Sequence, residues 1–361
     1  MAENWHRVVG VLLTSVATVL AISGVVSGHV VYVTDEDQPG DGVEFLIEMG
    51  TDPVVLGLLS AMAIGTLGFF GAYLRWRPFA VDIAALRSVL EGYRDLLPWL
   101  LRLGFGLPLV GAGFVGDFYN PIVEPIFAPE LIRIGQIALG FALLFGVATR
   151  AAALLALGWY LVSLPLVPEL LASPEWIPGL LAIALVGSGR PSADQVFEEV
   201  AATEGTWYGT LDPIHERAPI LRRYLAPARP YVPTFIRIGL GLTFIGLGIV
   251  EKLLAPAMAA DVVHQYNLTV IPLPVEYWIV FAGLGEITVG LFILLGFFTR
   301  LSAIGAMAIF VLALFAIPDD PIMAHIGLFS LASALVITGG GALSIDRLWL
   351  ERSDRIHERS V

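Results

Sequence analysis

The sequence contains no cysteine. That removes disulfides, thiolate metal sites, iron–sulfur clusters, thioether-linked haem and thiol nucleophiles together. Any redox role has to use a non-covalent cofactor, a quinone or a partner. Charge is scarce too. Asp, Glu, Lys and Arg make up 14% of the 361 residues, where soluble domains carry about 25%. Lysine is nearly missing: Lys252 is the single one among 20 basic residues. The 32 acids leave a net charge of -12, which argues against nucleic acid as a partner, since that needs a basic surface. The acidic, lysine-poor composition is compatible with a halophilic source, where salt screens self-repulsion.

What fills the chain instead is apolar. Hydrophobic residues reach 57%, with 38 glycines besides, and the mean hydropathy is +0.81. So few charges cannot cover a soluble surface, and membrane lipids are the expected surroundings. Crossing about 30 Å of hydrocarbon takes about 20 residues of helix. Ten stretches qualify: 8–33, 54–74, 96–115, 131–148, 151–167, 175–189, 234–253, 275–297, 301–317 and 322–341. The sixth is short and follows Pro174 and Pro178, so a re-entrant or tilted segment is an alternative there. The fold class expected is all-α, a polytopic bundle. The first stretch is too long for the apolar region of a cleaved signal peptide.

The first loop holds Asp35, Glu36, Asp37, Asp41, Glu44, Glu48 and Asp52 with no base, and the next holds Arg75, Arg77, Arg87 and Arg94. The positive-inside rule puts both termini in the cytoplasm of a multi-pass cell-membrane protein. Ten crossings then leave every basic residue inside except Arg133 and Lys252.

An internal repeat organises the rest. Arg102-Leu-Gly-Phe-Gly aligns with Arg237-Ile-Gly-Leu-Gly. Gly135-Gln136-Ile, running on to Thr149-Arg150, aligns with Gly285-Glu286-Ile, running on to Thr299-Arg300. Gly187-Ser-Gly-Arg-Pro-Ser-Ala-Asp194 aligns with Gly339-Gly-Gly-Ala-Leu-Ser-Ile-Asp346. Two units of four helices follow, 96–198 and 233–349. A linker at 199–232 joins them, 1–95 carries two extra spans with an inner interfacial loop, and 350–361 is a tail. Four being even, the units should be related by a pseudo-two-fold along the membrane normal.

The glycines read as close helix packing. Arg102 and Arg237 read either as side chains snorkelling to headgroups or as anchors for a partner or an acidic headgroup. Thr149 and Thr299 read as caps, and Ser192 and Ser344 as N-caps after a glycine helix stop.

Glu286 lies near mid-depth of its span. An ionised carboxylate costs about 2.5–3.5 kcal/mol there, so it should face a partner, a cavity or a proton path. Its counterpart Gln136 cannot titrate, which makes the second unit the candidate working half. A protonated Glu286 bonded between helices is the structural alternative. Glu251 and Lys252 close the seventh span, opposite Gly116 and Asp117, and read either as an exposed helix end or, with His264 and His325, as an outer polar site. Asp319, Asp320 and His29 read as solvated outward groups. No ligand-spaced cluster supports a metal.

These residues resemble the DoxX/DoxD family: Arg237 through Lys252, Gly285-Glu286-Ile-Thr-Val-Gly290 with Gly296-Phe-Phe-Thr-Arg300, and Gly339 through Asp346. The second unit carries the resemblance over about 115 residues, and the first is a degenerate version. The resemblance implies a four-helix bundle, here doubled, and a link to membrane redox systems, with a quinone as ligand and a redox partner subunit. Arg237, Lys252 and Glu286 match its polar positions. Three functions are expected in turn: a quinone-interacting or accessory subunit of a redox complex, a transporter or lipid-binding module with a cavity between the repeats reached by Glu286, or a scaffold, for which a homo-oligomer is the natural form.

Overall fold

The structure is a computed structural model that describes residue 33 and residues 42–76, 79–125, 127–211, 218–269 and 272–348. The first expected span apart from residue 33, Asp35 to Asp41, Arg77, His29 and the tail from 349 lie outside the described residues. Among the described residues the fold is all-α, with no strand beyond one isolated bridge between Phe118 and Asn120.

Among the described residues, three α-helices precede the units: α1 (Gly42–Thr51), α2 (Pro53–Trp76) and α3 (Ala80–Glu91). The first unit is α4 (Leu97–Val115), α5 (Pro129–Phe145), α6 (Thr149–Ser163) and α7 (Trp176–Val186). Helices α8 (Ala193–Ala202) and α9 (Ala218–Leu225) follow, with a one-turn helix at Trp207–Leu211 between them. The second unit opens with α10 (Val232–Gly246), which runs straight into a π-helix at Leu247–Leu253. Then come α11 (Pro256–Gln265), α12 (Val275–Leu295), α13 (Thr299–Ala316) and α14 (Ile322–Thr338).

Sequence punctuation sets these bounds. Proline occupies the first turn of α4, α5, α10 and α11, where its missing amide costs nothing. Glycine stops α5 and α12 in the left-handed conformation at Gly146 (φ 69°) and Gly296 (φ 67°), which other residues reach only under strain.

Every expected span within the described residues falls on a helix. Among the described residues, five helical stretches are long and apolar enough to cross a bilayer: Pro53–Tyr73, Arg94–Val115, Ile220–Leu253, Val275–Leu295 and Thr299–Ala316. The sixth expected span shrinks to the 11 residues of α7, about 16 Å of helix, behind a 3₁₀ turn at Pro168–Ala172. Outward faces are greasy, as lipid requires: Phe315 is 84% exposed and Leu67 73%.

The two units share one core. Phe105, Leu180, Leu240, Phe244, Leu331 and Leu335 belong to a single buried cluster drawn from both. The first helix of each unit packs on the fourth helix of the other, α4 on α14 and α10 on α7. The aligned glycines Gly104 and Gly239 sit at these two seams. A Cβ on Gly104 would lie 2.0 Å from Ser330 Cβ, and one on Gly239 would lie 2.1 Å from Pro178 Cγ. Such reciprocal exchange is what a two-fold axis between the units produces. The turns 147–150 and 297–300 line one cleft and so lie at the same end of the bundle.

Candidate functional site

At the end of the bundle holding both turns, each unit builds the same clamp. Arg102 donates from Nε to Leu143 O (3.0 Å), and from its terminal nitrogens to Leu144 O (3.1 Å), Pro191 O (2.9 Å) and Ser188 O. Arg237 donates to Leu294 O (3.1 Å) and Leu343 O (2.6 Å), the aligned carbonyls. Both side chains are buried, at 2% and 1% exposure. Neither snorkels, and neither is open to a partner or headgroup. They satisfy carbonyls that a helix end leaves unpaired, and so tie the end of the second helix of each unit to the turn after the fourth.

Asp194 accepts from the amides of Ala148 (2.6 Å) and Thr149 (2.9 Å) and from the Thr149 hydroxyl (2.7 Å). Asp346 does the same for Phe298 (2.8 Å), Thr299 (2.8 Å) and the Thr299 hydroxyl (2.7 Å). The expected threonine caps are thus recipients of a cap from an aspartate about 45 residues on, while Ser192 and Ser344 do accept from the amides of Gln195 and Arg347, both at 3.2 Å. Arg150 and Arg300 donate to Ala184 O (3.0 Å) and Val336 O (2.9 Å) near the end of each fourth helix.

Toward the other end the units part company. In the first, α4 stops at Gly116 (φ 110°), and Gln136, fully buried, donates to Leu109 O (3.3 Å) and Asp117 O (3.2 Å). In the second, the helix widens into its π-turn, with the Leu254 amide reaching back to Ile249 O at 2.8 Å. π-Turns are rare and concentrate at functional sites. This one carries Glu251 and Lys252. Lys252 Nζ lies 3.0 Å from Glu286 Oε2 and 3.9 Å from Glu251 Oε2. Glu251 is 3% exposed, so the pair is no exposed helix end. The side chains of Lys252 and Glu286 keep 17% and 13% of their surface accessible.

A third acid, Asp320, is near enough for its charge to act on Lys252. Asp320 is buried at 5% exposure and is not an outward solvated group. Its Oδ2 lies 3.3 Å from Nε2 of His325, itself 1% exposed. The result is a cluster of three carboxylates, one ammonium and one imidazole across the π-turn, α12 and the start of α14. His264 stands apart from it, exposed at the end of α11. Sequence reading missed Asp320 because an acid beside Pro321 in a loop carries no pattern that marks burial.

Next to the cluster, α1 and α2 close over the second unit through Phe45, Met49 and Val55 against Leu253, Ile279 and Val280. Asp52, between α1 and α2, accepts from the amides of Val54 (2.7 Å) and Val55 (2.9 Å) and from the Tyr277 hydroxyl (3.1 Å). The Val55 amide first, then Tyr277 and Val54, hold its carboxyl below the ordinary aspartate value, against a smaller opposing effect of desolvation. Arg133, one of the two bases expected outside, donates to Gly113 O (3.1 Å) and Phe114 O (3.0 Å) at the end of α4.

The clamp end opens into a cleft of about 2320 Å³ between the units. The cavity expected of a transporter or lipid-binding module is present there, but Glu286 is not among its lining residues.

No curated protein and no solved structure matches the chain. A family model does: residues 232–319 match DoxX. That stretch runs from the start of α10 through the π-turn and the Glu286 helix to the residue before Asp320. On this match and its apolar helices, the chain is a membrane protein whose residues 232–319 are similar to DoxX.

Proposed function

We propose that the second unit binds the head of a quinone-class ligand at the Lys252–Glu286 pair, and that the chain serves as an integral subunit of a membrane redox system. The observation that carries this reading is the 3.0 Å ion pair on a π-turn, present in one unit and replaced by Gln136 in the other. A quinone carbonyl accepts hydrogen bonds and takes up protons when it is reduced. Lys252 is a three-donor group for the first task. Glu286 is a carboxyl able to give or take a proton, which intramembrane acids commonly do. The Asp320–His325 pair extends the titratable groups beyond Lys252. The chain has no cysteine to hold an iron–sulfur cluster, and on this reading a partner subunit supplies the electrons. The basic end faces the cytoplasm of the cell membrane, as arginine placement directs.

The test is binding of decylubiquinone to the full chain in nonionic detergent, followed by quenching of intrinsic fluorescence. Loss of a charge-assisted hydrogen bond is worth ~1.5–3 kcal/mol. The dissociation constant should therefore rise about tenfold or more in Glu286→Gln and in Lys252→Met, with Gln136→Glu unable to replace them. Wild-type affinity in both variants, whatever their melting temperatures, would remove the assignment.

A further inference from the structure

We propose that the cleft between the units at the arginine-rich end is a binding site for an amphiphile with an anionic phosphate head, namely a phospholipid of the surrounding membrane. In a chain of net charge -12, eight of the arginines line this one cleft. Six carboxylates line it as well, but they are mostly committed. Asp194 and Asp346 are spent on helix amides. Glu198 pairs with Arg222 through two bonds, Glu199 lies 3.8 Å from Arg190, and Glu91 lies 3.6 Å from Arg94.

Positive charge is left over. Arg150 and Arg300 meet only carbonyls, which orient a guanidinium without cancelling it. Arg87 and Arg229 form no ion pair among the described residues. These charges are not dispersed. Arg150 lies within electrostatic reach of Arg229 and Arg222, with Asp194 opposing, while Arg300 lies within reach of Arg87 and Arg94, with Glu91 and Asp346 opposing. Each unit's turn thus holds a group of mutually repelling guanidiniums, an arrangement relieved by a phosphate between them. Arginine suits that ligand because its planar fork matches phosphate oxygens.

The rest of the wall tells the head from the tail. Phe70 of α2 packs on Phe297 and Phe298 with ring centroids 5.4 and 5.1 Å apart, and Ile83, Leu86 and Ile304 continue the apolar lining. Phe69, also lining the cleft, is 64% exposed on the outer side of α2, so the cleft is continuous with the lipid-facing surface. Its volume is well above the roughly 300–1,000 Å³ of an ordinary small-molecule pocket. A free phosphate would use the arginines and leave the apolar wall bare.

The experiment is thermal unfolding of the full chain in nonionic detergent. The additions are phosphatidylglycerol, phosphatidylcholine or inorganic phosphate at equal concentrations. Phosphatidylglycerol should raise the midpoint saturably, and the other two should not. Arg87→Gln with Arg229→Gln should weaken the phosphatidylglycerol response by about fivefold for each arginine removed, the effect of one basic residue near an anionic lipid. Should the double variant fail to fold, Arg229→Gln alone serves, since this side chain is exposed and unpaired. Glu286→Gln should leave the lipid response intact, which keeps this site separate from the quinone reading. Equal response to phosphatidylcholine would overturn the anionic head. Equal response to inorganic phosphate would overturn the amphiphile. A wild-type response in the arginine variants would overturn the site.

Discussion

Gln136 donates to the main-chain carbonyl of Asp117 at 3.2 Å, and these are the positions that align with Glu286 and Lys252. One contact is thus kept between the second helix of a unit and the end of its first, neutral in one unit and ionic in the other. The neutral version shows what packing alone requires. The ionic version requires a helix one turn longer and widened, and two charges held away from water.

That comparison fixes the ordering of variants. Removing one partner of a buried pair costs about 3–5 kcal/mol because the other charge is stranded, and the partial accessibility here places the loss at the low end. Lys252→Met strands Glu286 together with Glu251, whereas Glu286→Gln leaves Lys252 with Glu251 at 3.9 Å. Thermal unfolding in detergent should rank Lys252→Met as the more damaging, with the double variant recovering part of the loss. Equal midpoints for the two single variants would contradict the cluster.

Arg102 should tolerate no conservative change. Its four bonds go to carbonyls in two segments, a helix end and a turn, and lysine cannot span them with a point charge. At about 1 kcal/mol per bond, plus the cost of unsatisfied carbonyls, Arg102→Lys should lose roughly 2–3 kcal/mol. Unfolding midpoints measure it, and a neutral result would mean the clamp does not bear on stability.

The seams between the units predict a steric contrast. Gly104→Ala puts a Cβ 2.0 Å from Ser330 Cβ, where a side chain has to move. Overpacking of this kind costs about 1–3 kcal/mol. Gly65→Ala, with nothing within 4 Å, should be neutral or stabilising by up to about 1 kcal/mol through helix propensity. Matched melting curves for both would argue against the close α4–α14 approach.

Asp52 predicts a pH dependence. Its folded carboxyl titrates below the unfolded value of about 3.9, so the ionised form is favoured by folding. The stabilisation is complete above that unfolded value and disappears as pH falls through the folded one. Asp52→Asn should therefore lower the melting temperature at pH 7, and the gap from wild type should close below about pH 4. A gap that stays constant with pH would show that the carboxylate charge plays no part.

Much of this architecture was legible in residue order. The Gly–Arg–Thr–Asp pattern marked the repeat because each residue serves a local demand: a left-handed stop, a carbonyl clamp, a capped amide. Spans were legible because lipid imposes one length on every helix. Partners were harder. Arg102 and Arg237 looked like headgroup anchors, since sequence does not reveal that a helix end and a glycine turn fold over them. Glu251 and Lys252 read either as an exposed terminus or as an outer polar site, because a π-turn has no composition of its own. Asp320 looked solvated for want of any sign that His325 would face it. The arginine cleft was invisible as a unit, being assembled from helices and turns that run from Arg87 to Arg347.

The crossed placement of α4 on α14 and α10 on α7 bears on how the chain is made. Ser330 bonds the Leu100 carbonyl across 230 positions of sequence. When α4 leaves the ribosome, the helix that will cover its glycine edge has not been synthesised. The early half therefore waits in the bilayer with a bare flank, and either half expressed alone is left incomplete, in need of its sibling or of a chaperone to shield the same edge.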